Sequence, residues 1–378
     1  MISRLKTQVS NTILNIPGWH TDRKIVVIES DDWGSIRMPS KEVYNALLTK
    51  GIHVDCCRYC RYDSMETAND LNALFELLNG VKDKNGNPAV ITANTVVTNP
   101  DFDKIRASNY QEYHYKLITQ SYKDYEGCAN SFDLLKEGNK KGLLSIQSHG
   151  REHLNIKRWM YYLQNDYPET RFAFEHGVYG LSTTITSEKR KSFLPAFDYE
   201  TVEEELQANE IAKDGLRIFK ELFGYTSESF IASNYVWSKS LEKSIAEEGV
   251  KFIQGERLHN YRVPTGQKSS KRLRYFGKKN VFGQIDLVRN AFFEPSENPA
   301  KDWVNSCLSQ VSSAIFWKHP AVICSHRVNI MGGLNKKNRD HSLLLLKKLL
   351  KEIVKCWPDV EFMSSNQLGN LMQSEINE

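Results

Sequence analysis

The stretch KIVVIESDDWG, residues 24–34, decides the fold. Its first half is a continuous apolar run rather than an alternating one, and such a run predicts a strand that is buried on both faces. Seven further runs of the same kind recur along the chain. They are AVITAN at 89–94, LLSIQS at 143–148, ESFIAS at 228–233, KFIQG at 251–255, QIDLVRN at 284–290, AVICSH at 321–326 and VEFMSS at 360–365.

Helical patterns lie between these strands, at 66–80, 199–224, 238–249 and 340–359. Alternation of buried strands and helices is typical of a parallel α/β fold. Seven or eight such units favour a (β/α) barrel over an open sheet. We therefore expect one barrel domain over residues 1–378, with loop insertions near 51–70, 160–198 and 256–282.

Composition excludes several classes of protein. The 50 Lys and Arg residues nearly balance the 46 Asp and Glu residues, so the net charge of +4 argues against a dedicated nucleic-acid binder. No stretch approaches the roughly 18 apolar residues of a membrane span. The N-terminal residues lack an unbroken apolar core, and the 7 cysteines are an odd, scattered set. These features predict a cytoplasmic protein with reduced thiols and no integral membrane segment, and they do not indicate an oligomeric state.

Three of the predicted strands end in polar groups. Asp31 and Asp32 follow the first strand, His149 and His153 follow the strand at 143–148, and His326 closes the strand at 321–326. Ligands of parallel α/β folds bind at the carboxyl ends of the strands. We therefore expect these five side chains to converge on one site.

The spacing of His149 and His153 suits a metal site. Residues four apart lie on one face of a helix, and two imidazoles with one carboxylate form a common catalytic set for a divalent metal. One alternative is that both are ordinary polar residues at the start of a helix. Another is the H-x-x-E-H pattern of inverted zinc proteases, with Glu152 as the base. The strand-like segment before His149, and Gly150 within the motif, weigh against that second alternative.

The pattern resembles the polysaccharide deacetylase family, also called the NodB homology domain or carbohydrate esterase family 4. The resemblance rests on Asp31-Asp32, on His149 to His153 and on His326 at a strand end. It implies a distorted (β/α) barrel that removes acetyl groups from sugars with a divalent metal. Asp31 would be the general base, Asp32, His149 and His153 the metal ligands, and His326 the general acid. Zn²⁺ is the first expectation for the metal, with Co²⁺, Ni²⁺ or Mn²⁺ as alternatives.

One family motif is altered in this chain. The Arg-x-Pro-Tyr motif aligns with residues 232–235, where Tyr235 is kept but Ala232 replaces the Arg that orients the catalytic Asp in the family. We hypothesise that Arg289, at the end of QIDLVRN, supplies the missing guanidinium, because Arg is suited to hold a carboxylate through two hydrogen bonds. The alternative for Arg289 is a structural salt bridge.

Other residues near the strand ends are candidates for substrate contacts. Trp33 is expected to stack on a sugar, and the backbone N–H of Tyr235 to stabilise an oxyanion. Arg327 and Asn329 either hydrogen-bond substrate hydroxyls or brace the loop after His326. The expected partner is thus an N-acetylated glycan. Two other functions stay open: a non-catalytic carbohydrate-binding protein on the same fold, and a glycosidase or non-sugar amidohydrolase on the same scaffold.

Overall fold

The computed structural model describes residues 16–377. Within that range the chain forms both short and long strands, numbered here in chain order. They are β1 (Ile25–Trp33), β2 (Ile91–Thr95), β3 (Thr98–Pro100), β4 (Tyr115–Leu117), β5 (Leu144–Ser148), β6 (Ser229–Phe230), β7 (Phe252–Gly255), β8 (Leu258–Asn260), β9 (Lys271–Leu273), β10 (Ile285–Val288), β11 (Ala291–Phe292), β12 (Ala321–His326) and β13 (Glu361–Met363).

The α-helices of the same range surround the strands. They are α1 (Lys41–Thr49), α2 (Arg58–Tyr62), α3 (Ala68–Asn79), α4 (Phe102–Ala107), α5 (Ile118–Asp124), α6 (Ser131–Lys140), α7 (Ile156–Gln164), α8 (Pro168–Glu175), α9 (Val202–Phe223), α10 (Lys239–Glu247), α11 (Trp303–Phe316), α12 (Lys336–Cys356) and α13 (Ser365–Asn377). None of these helices is both long enough and apolar enough to cross a membrane.

Nine of the described strands form one sheet. Their order is β10-β7-β6-β5-β2-β1-β12-β11, and β13 pairs with β1 at the start of that strand. Every ladder in this sheet is parallel. No described ladder joins β10 to β11, so the sheet is an open, distorted (β/α) barrel.

All eight runs expected to be strands lie in this sheet. The ninth strand, β11, has two residues and is too short to stand out as an apolar run. The four expected helices are α3, α9, α10 and α12. The expected insertions contain α2 at 51–70, α8 at 160–198 and the β8–β9 hairpin at 256–282.

The central strand β1 is buried on both faces, as its continuous apolar run predicts. Val26 and Ile28 belong to the large core that the outer helices cover. Ile25 and Val27 point to a second core, which contains Phe252 and the inner face of α13. The strand therefore has no solvent-exposed face, and polar residues at its carboxyl end are buried as well.

Helix α13 packs closely against β7 through Gly369. A Cβ atom added at Gly369 would come within 2.5 Å of the ring of Phe252. We expect Gly369→Ala to lower the free energy of unfolding by about 1–2 kcal/mol, because overpacking at the upper end of its usual range outweighs the roughly 1 kcal/mol that alanine gains in a helix. Urea unfolding measures this, with the exposed Ser374→Ala of the same helix as the control. A stability equal to or above that of the wild type would contradict the close packing.

Candidate active site

A bulge near the end of β1 brings two successive carboxylates into one cavity. The pairing of β1 with β2 shifts register between Ser30 and Trp33, and Asp32 has a φ of 78°. In a regular strand Asp31 and Asp32 would point to opposite faces. Here both line the same cavity at the carboxyl end of the barrel. The full lining comprises Asp31, Asp32, Arg37, Tyr59, His149, His153, Leu194, Ala232, Asn234, Tyr235 and His326.

Asp32, His149 and His153 come together, with their ligand atoms within 4.8 Å of one another. Asp32 Oδ1 lies 3.3 Å from Nε2 of His153 and 3.7 Å from Nε2 of His149. The other ring nitrogen of His149, Nδ1, lies 2.9 Å from the carbonyl oxygen of Ile231. A proton on Nδ1 donates to that carbonyl and leaves the Nε2 lone pair facing Asp32.

The donor set fits a divalent metal. Nε2 of His149 is buried and has no hydrogen-bond partner among the described residues, as expected of a ligand atom prepared for a cation. Burial, and then the charge of Arg37, hold the pKa of His153 well below its usual range, so this imidazole is neutral. Burial raises the pKa of Asp32, but Arg37 and the histidines outweigh it and hold that pKa well below its usual range. One carboxylate and two imidazoles form a typical site for zinc or a related ion.

Arg289 holds Asp31 through two hydrogen bonds. Its Nη1 donates to Asp31 Oδ2 and its Nη2 to Asp31 Oδ1, both at 2.7 Å. Asn94, at the end of β2, donates to Oδ1 at 2.7 Å. Burial raises the pKa of Asp31, but the guanidinium outweighs it and holds that pKa well below the usual range. Arg289 thus lies where the hypothesis of a replacement arginine requires it.

The guanidinium of Arg289 also donates hydrogen bonds to three groups other than Asp31. Arg289 Nε donates to Glu29 at 2.7 Å, and Nη1 donates to the hydroxyl of Tyr235 at 2.7 Å and to Cys324 Sγ at 3.1 Å. Burial raises the pKa of Glu29 in spite of this ion pair. Arg289 therefore forms a buried ion pair with Glu29 and Asp31 and two hydrogen bonds to the carboxylate of Asp31. That it takes the role of the arginine replaced by Ala232 stays a prediction.

His326 lies on the other side of Asp31. Its Nδ1 is 2.5 Å from Glu294 Oε1, and its Nε2 is 3.9 Å from Asp31 Oδ2. Burial lowers the pKa of His326, but Glu294, followed by Asp31, outweighs it and raises that pKa to about 9. The ring edge of Tyr59 contacts His326, with 5.8 Å between the ring centroids. The imidazole is therefore charged at neutral pH, as a general acid must be.

A second group of possible ligands, Glu294, Cys324 and His326, lies beside the first. Arg289 already donates to Cys324, and the carboxylate of Glu294 is held by His326 and Asn329. All three side chains of this second group thus already have partners, whereas Nε2 of His149 in the first group has none among the described residues. The group around Asp32 is therefore the better candidate metal site.

Four expected substrate contacts have other surroundings in the structure. Trp33 is fully buried in the core, and its Nε1 donates to Ser30. Arg327 is fully buried too, and Asn329 is nearly so and donates to Glu294. The backbone N–H of Tyr235 already donates to the carbonyl of Ala232 at 3.0 Å, so it is not free for an oxyanion. The side chain of Tyr235, in contrast, lines the cavity.

Sequence reasoning missed four residues of the site. Arg37, Tyr59, Asn94 and Glu294 all contact the residues named from the motifs. Asn94 carried a usable signal, because it is a polar residue at the end of a buried strand. Glu294 follows the two-residue strand β11, and the positions of Arg37 and Tyr59 depend on loops, so none of these three had a signal of its own.

Comparisons with known proteins extend only to the fold. No family model and no curated protein matches the chain. Its structure is similar to that of a protein assigned as a glycoside hydrolase/deacetylase from Parabacteroides distasonis, with a TM-score of 0.50 at 10% identity over 95% of this chain and 73% of that one. A protein from Mycobacterium smegmatis assigned as a polysaccharide deacetylase has a TM-score of 0.46 at 10% identity, over 95% of this chain and 93% of that one.

A 4-alpha-glucanotransferase from Thermococcus litoralis has a TM-score of 0.44 at 10% identity over 91% of this chain. The chain spans only 39% of the length of that enzyme. Similarity at these identities shows the fold alone. It confirms the expected α/β class and the distorted (β/α) barrel of the deacetylase type.

Proposed function

We propose that the protein is a metal-dependent hydrolase that removes the acetyl group from an N-acetylated sugar of a polysaccharide or glycan precursor. One observation carries the proposal: Asp32, His149 and His153 converge at the end of the barrel, with Asp31 and His326 beside them. A base, an acid and a set of metal ligands within one cavity suit hydrolysis of an amide.

Asp32, His149 and His153 are the residues that would hold the divalent ion, with Zn²⁺ first and Co²⁺, Ni²⁺ or Mn²⁺ as alternatives. A bound ion of this kind polarises a carbonyl oxygen and makes water a stronger nucleophile. The nitrogen-rich donor set favours zinc and its neighbours over magnesium or calcium, which prefer oxygen ligands.

Asp31 takes the proton of the attacking water. It is ionised at neutral pH, and Arg289 and Asn94 fix the plane of its carboxylate. Each carboxylate oxygen has two lone pairs, so these hydrogen bonds leave room for a further donor. The strong pairing makes Asp31 a weak base, and its contribution depends on the correct orientation more than on its pKa.

His326 gives its proton to the nitrogen of the leaving amine. Glu294 holds Nδ1 and thereby directs Nε2 toward the cavity. Asn329 and Arg58 in turn hold Glu294, at 2.9 Å and 3.3 Å from its Oε2. In this proposal Asn329 fixes the position of Glu294 and thereby of the general acid His326. The exposed Asn234 and the ring of Tyr59, which both line the cavity, contact the sugar.

Acetate release from N-acetylhexosamine oligomers, measured with zinc-loaded protein, tests the proposal. A deacetylase produces acetate and one free amine for each turnover and leaves the number of reducing ends unchanged. A glycosidase creates a new reducing end and no acetate, and a carbohydrate-binding protein yields neither product. Either of the last two results would refute the proposal.

The acid role of His326 predicts a specific pH profile. Because the pKa of His326 is raised to about 9, its charged form is present below that pH and is lost as the pH rises through it. We therefore expect kcat/KM to fall as the pH rises through about 9. In Glu294→Gln the fall should move toward the unperturbed histidine pKa of about 6.5, since the main charge that raises the pKa is gone.

The pH dependence of kcat/KM in the two proteins measures this shift, because kcat/KM reports the pKa values of the substrate-free protein. Glu297→Gln is the matched control, because Glu297 contacts Arg58 but not His326. In Glu297→Gln the fall in kcat/KM at high pH should occur at the same pH as in the wild type. Identical profiles in all three proteins would exclude His326 as the group that titrates.

A further inference from the structure

Arg37 lies against the proposed metal ligand. Its side chain is buried, and Nη2 is 3.0 Å from Asp32 Oδ1. The same oxygen faces Nε2 of His149 and of His153. A full positive charge thus already neutralises the oxygen that a divalent ion would bind.

The other nitrogen atoms of the Arg37 guanidinium lack hydrogen bonds in this position. Among the described residues, Nε and Nη1 have no hydrogen-bond partner. Nε lies 3.7 Å from Asp63 Oδ2, which also lacks a hydrogen-bond partner. A separation of 3.7 Å is too long for a hydrogen bond, and buried polar groups without partners are costly. A small movement of Arg37 toward Asp63 would satisfy both groups.

Asp63 is well placed to receive the guanidinium. It is fully buried, and its other oxygen, Oδ1, accepts from Arg327 Nε at 3.1 Å. Arg327 also donates to Glu66 and to the carbonyl of Ser35, so its position is held from several sides. Asp63 therefore has one oxygen fixed by Arg327 and one oxygen that faces Arg37.

Charge decides between the two partners of Arg37. A divalent ion at Asp32 repels a guanidinium a few ångströms away, and this repulsion is strong where water is excluded. We infer that Arg37 and the divalent cation compete for Asp32, and that Asp63 is the alternative partner of Arg37 when the cation binds. This inference rests on the proposed metal site. Arg37 then stabilises the buried carboxylate when no cation is bound, and it makes the site bind cations more weakly than its ligands alone would.

The dissociation constant of Zn²⁺, measured on the full chain by competition with a chromogenic chelator, tests the inference. Arg37→Met should bind Zn²⁺ about tenfold more tightly or better, because the competing charge is gone. Arg37→Lys keeps the charge and should stay close to the wild type. Asp63→Asn removes the alternative partner and should weaken binding by about tenfold or more, which corresponds to the loss of one hydrogen bond between charged groups.

The double variant separates competition from general loosening of the site. In Arg37→Met/Asp63→Asn the Asp63 exchange should have no effect beyond that of Arg37→Met, since no arginine remains to be displaced. Glu66→Gln is the matched control, because it also removes a carboxylate from Arg327 but does not touch Arg37. Its affinity should equal that of the wild type. Circular dichroism checks folding, and Arg37→Gln replaces Arg37→Met under the same expectations if the methionine variant does not fold.

Several results would overturn the inference. If Arg37→Met binds Zn²⁺ no more tightly than the wild type, Arg37 does not compete with the cation. Asp63 would be excluded as the alternative partner by either of two results. One is that Asp63→Asn weakens zinc binding as much in the double variant as it does alone. The other is that Glu66→Gln weakens zinc binding as much as Asp63→Asn. His149→Ala tests where the cation binds. If this exchange abolishes zinc binding while Arg37→Met does not tighten it, the proposed metal site is supported and the competition is refuted. If neither the wild type nor Arg37→Met binds Zn²⁺, both fail.

Discussion

Replacing Asp31 with asparagine is expected to lower the turnover of acetate release by roughly 10²- to 10⁴-fold, the contribution typical of a general base. Asparagine has the same shape and can still accept from Arg289, but its amide cannot take a proton from water. Zinc content should stay unchanged, because the proposed ligands are Asp32, His149 and His153.

Initial rates and metal content measured on the same samples check this prediction. Asp359→Asn makes the same chemical exchange at a surface residue that pairs with Lys24, and it should keep full activity. Turnover in Asp31→Asn within about threefold of the wild type would exclude Asp31 as the base.

Replacing Arg289 with methionine is expected to have the largest effect on stability. Arg289 is buried together with Glu29 and Asp31, and its removal leaves two carboxylates without their cation. Breaking a buried pair in this way costs about 3–5 kcal/mol of unfolding free energy. Turnover of the folded protein should also fall, because Asp31 loses the two hydrogen bonds that orient it.

The stability loss should depend on pH. The pairing with Arg289 holds the folded-state pKa of Asp31 below its unfolded value. It therefore contributes stability above the unfolded pKa of about 4, and that contribution disappears as the pH falls through the lower, folded pKa. In the variant no guanidinium offsets burial, so the folded-state pKa of Asp31 rises above the unfolded value. The buried carboxylate then binds a proton as the pH falls, and the deficit should be larger at pH 7 than at pH 4.

Urea unfolding at the two pH values, with zinc content and turnover on the same samples, measures these effects. Arg289→Lys is the conservative control: it keeps the charge but not the two parallel hydrogen bonds, and it should lie between the wild type and Arg289→Met in both stability and turnover. A deficit below about 1 kcal/mol in Arg289→Met would show that the buried pair contributes little.

Much of the fold was predictable because its signals are local. The eight apolar runs predict strands without any knowledge of their neighbours, since a strand buried on both faces must be apolar over its whole length. In the nine-stranded sheet only β11 was missed, because two residues carry no pattern. The short strands β3, β4, β8 and β9 outside that sheet were not predicted either. The approach of Asp31, His149 and His326 was predictable for a related reason: parallel strands place their carboxyl ends at the same edge of the sheet.

The finer arrangement of the site was not predictable. The bulge that turns both Asp31 and Asp32 into the cavity depends on the register between β1 and β2. Trp33 was expected to contact sugar and is instead fully buried in the core. The N–H of Tyr235 was expected to be free, but the tight turn after β6 engages it.

The sequence by itself determined the class of the fold, the strands that end at the site and the candidate residues of the two motifs, since each of these follows from patterns a few residues long. Only the tertiary structure decided which charges meet. Arg37 meets Asp32 across the loop that follows β1, and Glu294 meets His326, which lies 32 residues further along the chain. Their contact depends on the paths of loops and the register of strands, which the energy of the whole packed chain selects and no short stretch encodes.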